Sequence, residues 1–198
     1  LVVYIVERGE FLEIKEIGEN YVSMFWQNMK YRGITALINF LAIFALIYNT
    51  TTRVKRGLKV FFDDEKKTMP KLPQKSIAFV ISTLVTICTT GMIVEKALPC
   101  FFNTQFVTTD PALGLDIGFF VFIWPFLEFI TIYAIVAIIA STIYAAIYYM
   151  IVFNIYFDGI SRESVKKSEI LNQAFANLKV LIVIFAILVL LETVNIGV

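Results

Sequence analysis

The stretch Asn103–Glu128, which reads NTQFVTTDPALGLDIGFFVFIWPFLE, passes from a polar, turn-rich connection into an aromatic apolar run. Asp110 and Pro111 predict a turn that Gly114 ends, because Asp caps helical turns, Pro suits the first helical position and Gly suits the end. Asp116 then stands where it can cap a second helix that begins just after it. The connection therefore predicts a turn followed by a capped helix at the start of the apolar run.

The run from Ile117 to Phe157 is apolar, and Glu128 is its only charged residue. A single helix of this length would be roughly twice as long as a bilayer core is thick. Proline removes a backbone donor and crowds the preceding turn, so Pro125 predicts a joint. We expect a short interfacial or re-entrant helix over Ile117–Leu127 and a spanning helix after it. The alternative is one long kinked helix whose first turns lie outside the bilayer.

The composition is that of a membrane protein. Hydrophobic residues make up 59% and charged residues 17% of the chain, against roughly 45–50% and 25% in soluble domains. The net charge of +1 implies no nucleic-acid partner, and the absence of histidine removes the commonest general base and metal ligand. Cys88 and Cys100 are predicted to be free thiols. We predict an all-α fold, a polytopic transmembrane helical bundle with interfacial helices and no cofactor.

Apolar runs alternate with charged connectors along the chain. Transmembrane helices are predicted over 33–52, 76–98, 129–157 and 178–198. The other segments are the end of an earlier span plus an outer interfacial segment (1–32), a basic loop (53–75), an extracytoplasmic loop with an interfacial or re-entrant helix (99–128) and a second basic loop (158–177). Gly18 is expected to break the helix of the first segment. The incomplete span at the start indicates part of a longer protein.

The basic loops 53–75 and 158–177 predict the orientation, because cytoplasmic loops carry an excess of Lys and Arg. Both loops are therefore expected to be cytoplasmic in a multi-pass protein of the cell membrane. Apolar residues between the charges of the first loop predict a short helix on the membrane surface: Leu58, Val60, Phe61 and Phe62. The basic residues are predicted either to contact anionic lipids or to form an ordinary cytoplasmic loop.

Ten residues of the connection match a family pattern close to N-x-T-x-F, D-P-x-F and D-x-x-F-Y-x-F-x-L-P, although Asn103 and Thr104 are adjacent here. They are Asn103, Thr104, Phe106, Asp110, Pro111, Asp116, Phe119, Phe120, Phe122 and Pro125. The departures are Leu113 for Phe, Phe120 for Tyr and Trp124 for Leu. The chain thus resembles UPF0182, a family of large, uncharacterised prokaryotic integral membrane proteins. The resemblance covers the N-terminal membrane part and implies further spans and an extracytoplasmic domain, but no reaction.

Three acids are predicted at similar depth in helices of alternating direction: Glu95, Glu128 and Glu192. A charge within the hydrocarbon costs at least roughly 2.5–3.5 kcal/mol, so such residues usually face a partner or water. One hypothesis is an outer-facing cation or proton site that uses these acids with Lys96 as a counter-charge. The alternative is that each acid reaches the headgroups separately.

Two pairs of interpretations are open for the motif residues. Asp110 and Asp116 are either a metal or general-acid pair, or caps of a turn and a helix. The aromatic residues either line a lipid-binding groove or anchor the chain at the interface: Phe119, Phe120, Phe122, Trp124 and Phe126.

No catalytic arrangement is visible in the sequence, so an enzyme is the less favoured interpretation, and a lipid-modifying enzyme is the weakest function considered. Two stronger function classes compete: a transporter or channel component with an acidic site, and a scaffold that anchors an extracytoplasmic domain.

Overall fold

The computed structural model of the chain describes residues 2–71, 73–102, 106, 108–111, 114–159 and 170–196. No strand forms among these residues, so the prediction of an all-α fold is confirmed. The helices are α1 (Val2–Ile17), α2 (Glu19–Asp64), α3 (Gln74–Phe101), α4 (Trp124–Tyr156) and α5 (Ile170–Ile196), and a π-helical turn (Phe119–Ile123) directly precedes α4.

The predicted glycine break between α1 and α2 is confirmed. Gly18 has φ +153° and ψ 157°, a conformation that is essentially restricted to glycine. The chain reverses there, and α1 packs back along the first turns of α2. Phe11 lies 5.4 Å from Phe25 between ring centroids, and Arg32 donates a 2.8 Å hydrogen bond to Glu7. The two helices therefore form an antiparallel hairpin.

Helix α2 is 46 residues long and continues to Asp64, well past the predicted span end at Thr52. The prediction of a separate surface helix in the loop 53–75 is wrong. Val54, Leu58 and Phe62 are at most 1% exposed, because they lie on one face of the continuing helix. That face packs on the last turns of α4 in one buried cluster with Ala145, Tyr149, Val152 and Phe153. Burial of these side chains stabilises the added helical turns.

Helix α2 ends in a backbone motif that satisfies its last carbonyl groups. Lys66 has the left-handed φ of 54°, its N–H donates to the Asp63 carbonyl, and the Lys67 N–H donates to the Phe62 carbonyl. This pattern is a Schellman motif with Lys66 in the position that glycine usually takes. The chain then leads into α3, the helix against which α2 packs most extensively.

The bounds of α3 and α5 also differ from the predicted spans. Helix α3 runs from Gln74 to Phe101 rather than over 76–98, and Pro99 lies inside its last turn without ending it. Helix α5 begins at Ile170 rather than at 178. Its first turns use residues 170–177 of the predicted second basic loop, and residues 160–169 of that loop lie outside the described residues.

The predicted division at Pro125 is wrong, because the backbone is helical without interruption from Ile117 to Tyr156. The alternative of one long helix agrees with this backbone. The irregularity lies just before the proline, where the Trp124 N–H donates to the Phe119 carbonyl across five residues. Pro125 has no N–H to continue the regular α-helical ladder. The π turn is thus where the missing donor is accommodated.

Four helical segments among the described residues are long and apolar enough to cross a membrane. They are Tyr21–Asp64, Gln74–Phe101, Phe119–Tyr156 and Leu171–Thr193. No residue in the apolar window of the last segment is buried, although α5 packs along α4. The described part of the chain therefore leaves an extensive apolar surface of α5 uncovered.

Candidate functional site

Asp116 caps the helical run that follows the connection, as the sequence predicts. Its Oδ1 atom accepts hydrogen bonds from the Gly118 N–H at 2.6 Å and from the Phe106 N–H at 3.3 Å. Asp116 also pairs with Thr109 in an isolated antiparallel bridge. The carboxylate therefore holds together the two ends of the connection.

Asp110 and Gly114 form the predicted turn. The Gly114 N–H donates to the Asp110 carbonyl at 2.8 Å, and the Asp110 N–H donates to the Leu115 carbonyl at 2.8 Å. Gly114 has φ +66°, which is why glycine suits the end of this turn. The carboxylate bonds of Asp116 agree with its capping interpretation. The bonds of Asp110 described here are backbone bonds, so the role of its side chain stays a prediction. Asn103 and Thr104 of the motif lie outside the described residues.

The aromatic residues of the motif pack on one another. The rings of Phe106 and Phe122 stack with centroids 5.9 Å apart, and Phe119 contacts both Phe120 and Trp124. Trp124 is only 4% exposed. The motif thus builds the connection between α3 and α4.

A hydrogen-bonded group that the sequence analysis missed joins three helices in the interior: Asn39 of α2, Thr89 of α3 and Tyr133 of α4. The Asn39 amide donates to Thr89 Oγ1 at 2.9 Å, and Tyr133 donates to Asn39 Oδ1 at 2.8 Å. The Thr89 and Tyr133 hydroxyls are 3.3 Å apart and complete the triangle. An asparagine inside an apolar run was the available signal, since amides hydrogen-bond between helices in membranes.

A cavity of about 560 Å³ lies beside this triangle between α2, α3 and α4. Its walls are mainly apolar, with Ile43, Ile93 and Phe126 among them, and no Asp, Glu, Lys or Arg of the described residues lines it. Such a cavity can hold an apolar group. It offers no charged side chain for a reaction.

Two further hydrogen bonds join α4 to its neighbours. The Thr51 and Tyr144 hydroxyls are 3.1 Å apart between α2 and α4, and the Asn177 amide of α5 donates to Thr142 at 2.7 Å. Together with Tyr133, these residues place polar contacts with neighbouring helices at three levels of α4: Tyr133, Thr142 and Tyr144.

The three predicted acids lie on three different helices. Glu95 is exposed on α3, while Glu128 on α4 and Glu192 on α5 are partly buried. Within the described part of the chain, none of the three forms a hydrogen bond or an ion pair. No group of three or more His, Cys, Asp or Glu among the described residues is placed to hold a metal ion. A shared cation or proton site at these acids stays a prediction.

The helical fold, its apolar segments and its interhelical hydrogen bonds define an all-α protein with four candidate membrane spans. The profile of the uncharacterised protein family UPF0182 matches residues 14–195, and the chain belongs to this family. The sequence resemblance is thereby confirmed. A UPF0182 protein of Caldicellulosiruptor saccharolyticus is 26% identical over 153 residues, which cover 75% of this chain and 16% of that relative. No solved structure matches the chain.

Proposed function

We propose that this chain is the membrane-embedded part of a larger multi-pass membrane protein and acts there as a helical scaffold. The composition of its interior favours a scaffold rather than a conduction path. The two buried clusters consist mainly of aliphatic and aromatic side chains, such as Ile43 and Ile47 in one and Leu58 and Phe153 in the other. Water and ions have no favourable route through side chains of this kind.

The observation that carries the proposal is the closed triangle of Asn39, Thr89 and Tyr133. Asn39 hydrogen-bonds both partners, and the Thr89 hydroxyl also donates to the Val85 carbonyl at 2.8 Å, so the hydroxyl protons of Thr89 and Tyr133 are used within the bundle. Interhelical hydrogen bonds of this type hold helices together within a bilayer. The polar groups of the interior thus serve association of the helices.

The length of the relative and the unburied apolar surface of α5 both favour a scaffold within a larger protein. The chain spans only 16% of the length of the relative that it matches, and the apolar window of α5 has no buried residue. We propose that further spans of the full-length protein, together with lipid, cover this surface. A folded domain outside the membrane would then be anchored by the bundle.

The proposed orientation places the basic loops 53–75 and 158–177 in the cytoplasm and the Asp110 turn outside. It is tested with single cysteines in a chain whose Cys88 and Cys100 are replaced. In intact cells, cysteines at Lys59 and Lys166 are expected to be protected from an impermeant thiol reagent, while one at Thr108 is labelled. Labelling at Lys59 but not at Thr108 inverts the orientation. Extraction of the protein by alkaline carbonate refutes membrane integration itself.

A further inference from the structure

The part of α2 beyond Thr52 carries a group of basic side chains on its outward side, which we call the basic face: Arg53, Lys55, Arg56 and Lys59. Arg53, Arg56 and Lys59 are exposed, and Lys55 is partly exposed. Within the described part of the chain, none of these side chains forms an ion pair or a hydrogen bond. The basic face therefore has no counter-charge among the described residues.

The helical structure of this segment keeps its charges close together. Residues three or four positions apart are neighbours on a helix, as are Arg53 and Arg56 at one spacing and Lys55 and Lys59 at the other. Like charges at these spacings repel one another and destabilise a helix. An anion outside the protein would relieve this repulsion.

The opposite side of the same turns is fixed within the protein. Val54 and Leu58 are 0% exposed and Phe62 is 1% exposed, and all three belong to the cluster that α2 forms with α4. The basic face consequently points away from α4 in a defined direction. A set of side chains on a fixed helix loses less conformational entropy on binding than a set in a flexible loop. This arrangement favours a binding surface over an ordinary cytoplasmic loop.

The length of α2 gives the depth of the basic face. At about 1.5 Å of rise per residue, the apolar part of α2 from Gly33 to Thr52 is about 30 Å long, which matches the thickness of a bilayer core. With this part of α2 in the core, the turns after Thr52 lie at the level of the phospholipid headgroups. In the proposed orientation, these headgroups belong to the cytoplasmic leaflet.

We propose that the basic face binds the headgroups of anionic phospholipids in the cytoplasmic leaflet. The guanidinium groups of Arg53 and Arg56 donate paired hydrogen bonds to phosphate oxygens, while Lys55 and Lys59 contribute compact positive charges. The observation that favours this partner is charge complementarity, since an unpaired basic surface lies at the depth of a negatively charged lipid layer. The inference rests on the proposed membrane integration and orientation.

The test titrates the purified chain in detergent with phosphatidylglycerol or phosphatidylcholine and measures bound lipid by native mass spectrometry. Phosphatidylglycerol is expected to bind about tenfold more tightly, because both lipids carry a phosphate but only phosphatidylglycerol has a net negative charge. Arg56→Gln combined with Lys59→Gln is expected to remove most of this preference. Equal affinity of the unaltered chain for the two lipids overturns the proposal.

The matched control combines Lys71→Gln with Lys75→Gln. Both residues are exposed, belong to the same predicted loop 53–75 and lie outside the basic face, so this variant loses the same amount of charge. It is expected to keep the preference for phosphatidylglycerol. Equal loss of preference in the two double variants would show that the net charge of the segment attracts the lipid, which overturns the proposal.

Salt provides a test that needs no substitution. The preference of the unaltered chain for phosphatidylglycerol is expected to fall at least about threefold when the salt concentration is raised to about 0.5 M, because ions screen exposed charges. An unchanged preference at the higher salt concentration overturns the proposal.

Three outcomes separate the possible sources of failure. Tighter binding of polyglutamate than of phosphatidylglycerol would overturn the lipid assignment and favour an acidic protein partner. Recovery of the chain outside the membrane fraction would overturn the proposed function. A membrane-integrated chain without a preference for phosphatidylglycerol would overturn only this site.

Discussion

The Tyr133 hydroxyl donates a 2.8 Å hydrogen bond to Asn39, a residue 94 positions earlier in the chain. This bond joins α2 and α4, whereas the Asn39 amide reaches α3 through Thr89. A single buried asparagine thus connects three helices. Its position fixes how α2, α3 and α4 are rotated relative to one another, because only one rotation of each helix brings the three groups together.

Replacement of Asn39 tests this connection. Asn39→Ala removes two interhelical hydrogen bonds and is expected to lower the free energy of unfolding in detergent by roughly 1–3 kcal/mol. Asn49→Ala is the matched control, since Asn49 lies on the same helix and is exposed. Equal stability of the two variants in a denaturant titration would contradict the role of the triangle.

The extension of α2 beyond residue 52 has its own test. Phe62 is 1% exposed and packs against α4, whereas Val60 is 48% exposed on the opposite face. Phe62→Ala is expected to cost about 3–5 kcal/mol of stability, and Val60→Ala less than about 0.5 kcal/mol. Similar small effects at both positions would favour a helix that lies on the membrane surface, where neither side chain is packed.

Substitution of glycine by alanine is expected to have opposite effects at two positions. Gly18→Ala forces a side chain into φ +153° and is expected to destabilise the α1–α2 hairpin by about 1–3 kcal/mol. Gly9→Ala lies inside α1 with open space around its Cβ and is expected to stabilise it by up to about 1 kcal/mol. Thermal unfolding monitored by circular dichroism measures both, and a shift of the same sign in both variants is the contradicting result.

Proton flux separates the scaffold from the transporter hypothesis. If the bundle is a scaffold, liposomes that contain the unaltered chain and the Glu128→Gln variant are expected to show the same slow dissipation of a pH gradient. The reason is the apolar interior and the absence of bonds between Glu128 and the other predicted acids in the described structure. A faster flux that Glu128→Gln abolishes would establish the acidic site and refute the scaffold.

The sequence predicted the helix caps well and the helix lengths poorly, and the difference is physical. The caps at Asp116 and Gly114 depend on neighbours within a few residues. The length of α2 depends on the distant residues Tyr149 and Phe153, which bury its last turns. The sequence of the charged segment after Thr52 therefore favours a loop, because its apolar face is buried only where α4 packs against it.

The candidate site residues also divide into those that the local sequence indicates and those that depend on contacts with distant residues. A charged residue such as Glu95 stands out within an apolar run, whereas an uncharged amide such as Asn39 does not. The partners of Asn39 come from helices far along the chain, and the pairing of Glu7 with Arg32 requires the reversal at Gly18. Such contacts have no short sequence pattern.

The length of α2 has a mechanical consequence. At 46 residues, it is about 69 Å long, more than twice the thickness of a bilayer core of about 30 Å. One end contacts α1 at Phe25 and the other contacts α4 at Phe62. The helical backbone is continuous between these two contacts, so a displacement of α2 at its α1 end is passed along one helix to its α4 end. Helix α2 therefore couples the hairpin at the start of the chain to the last turns of α4.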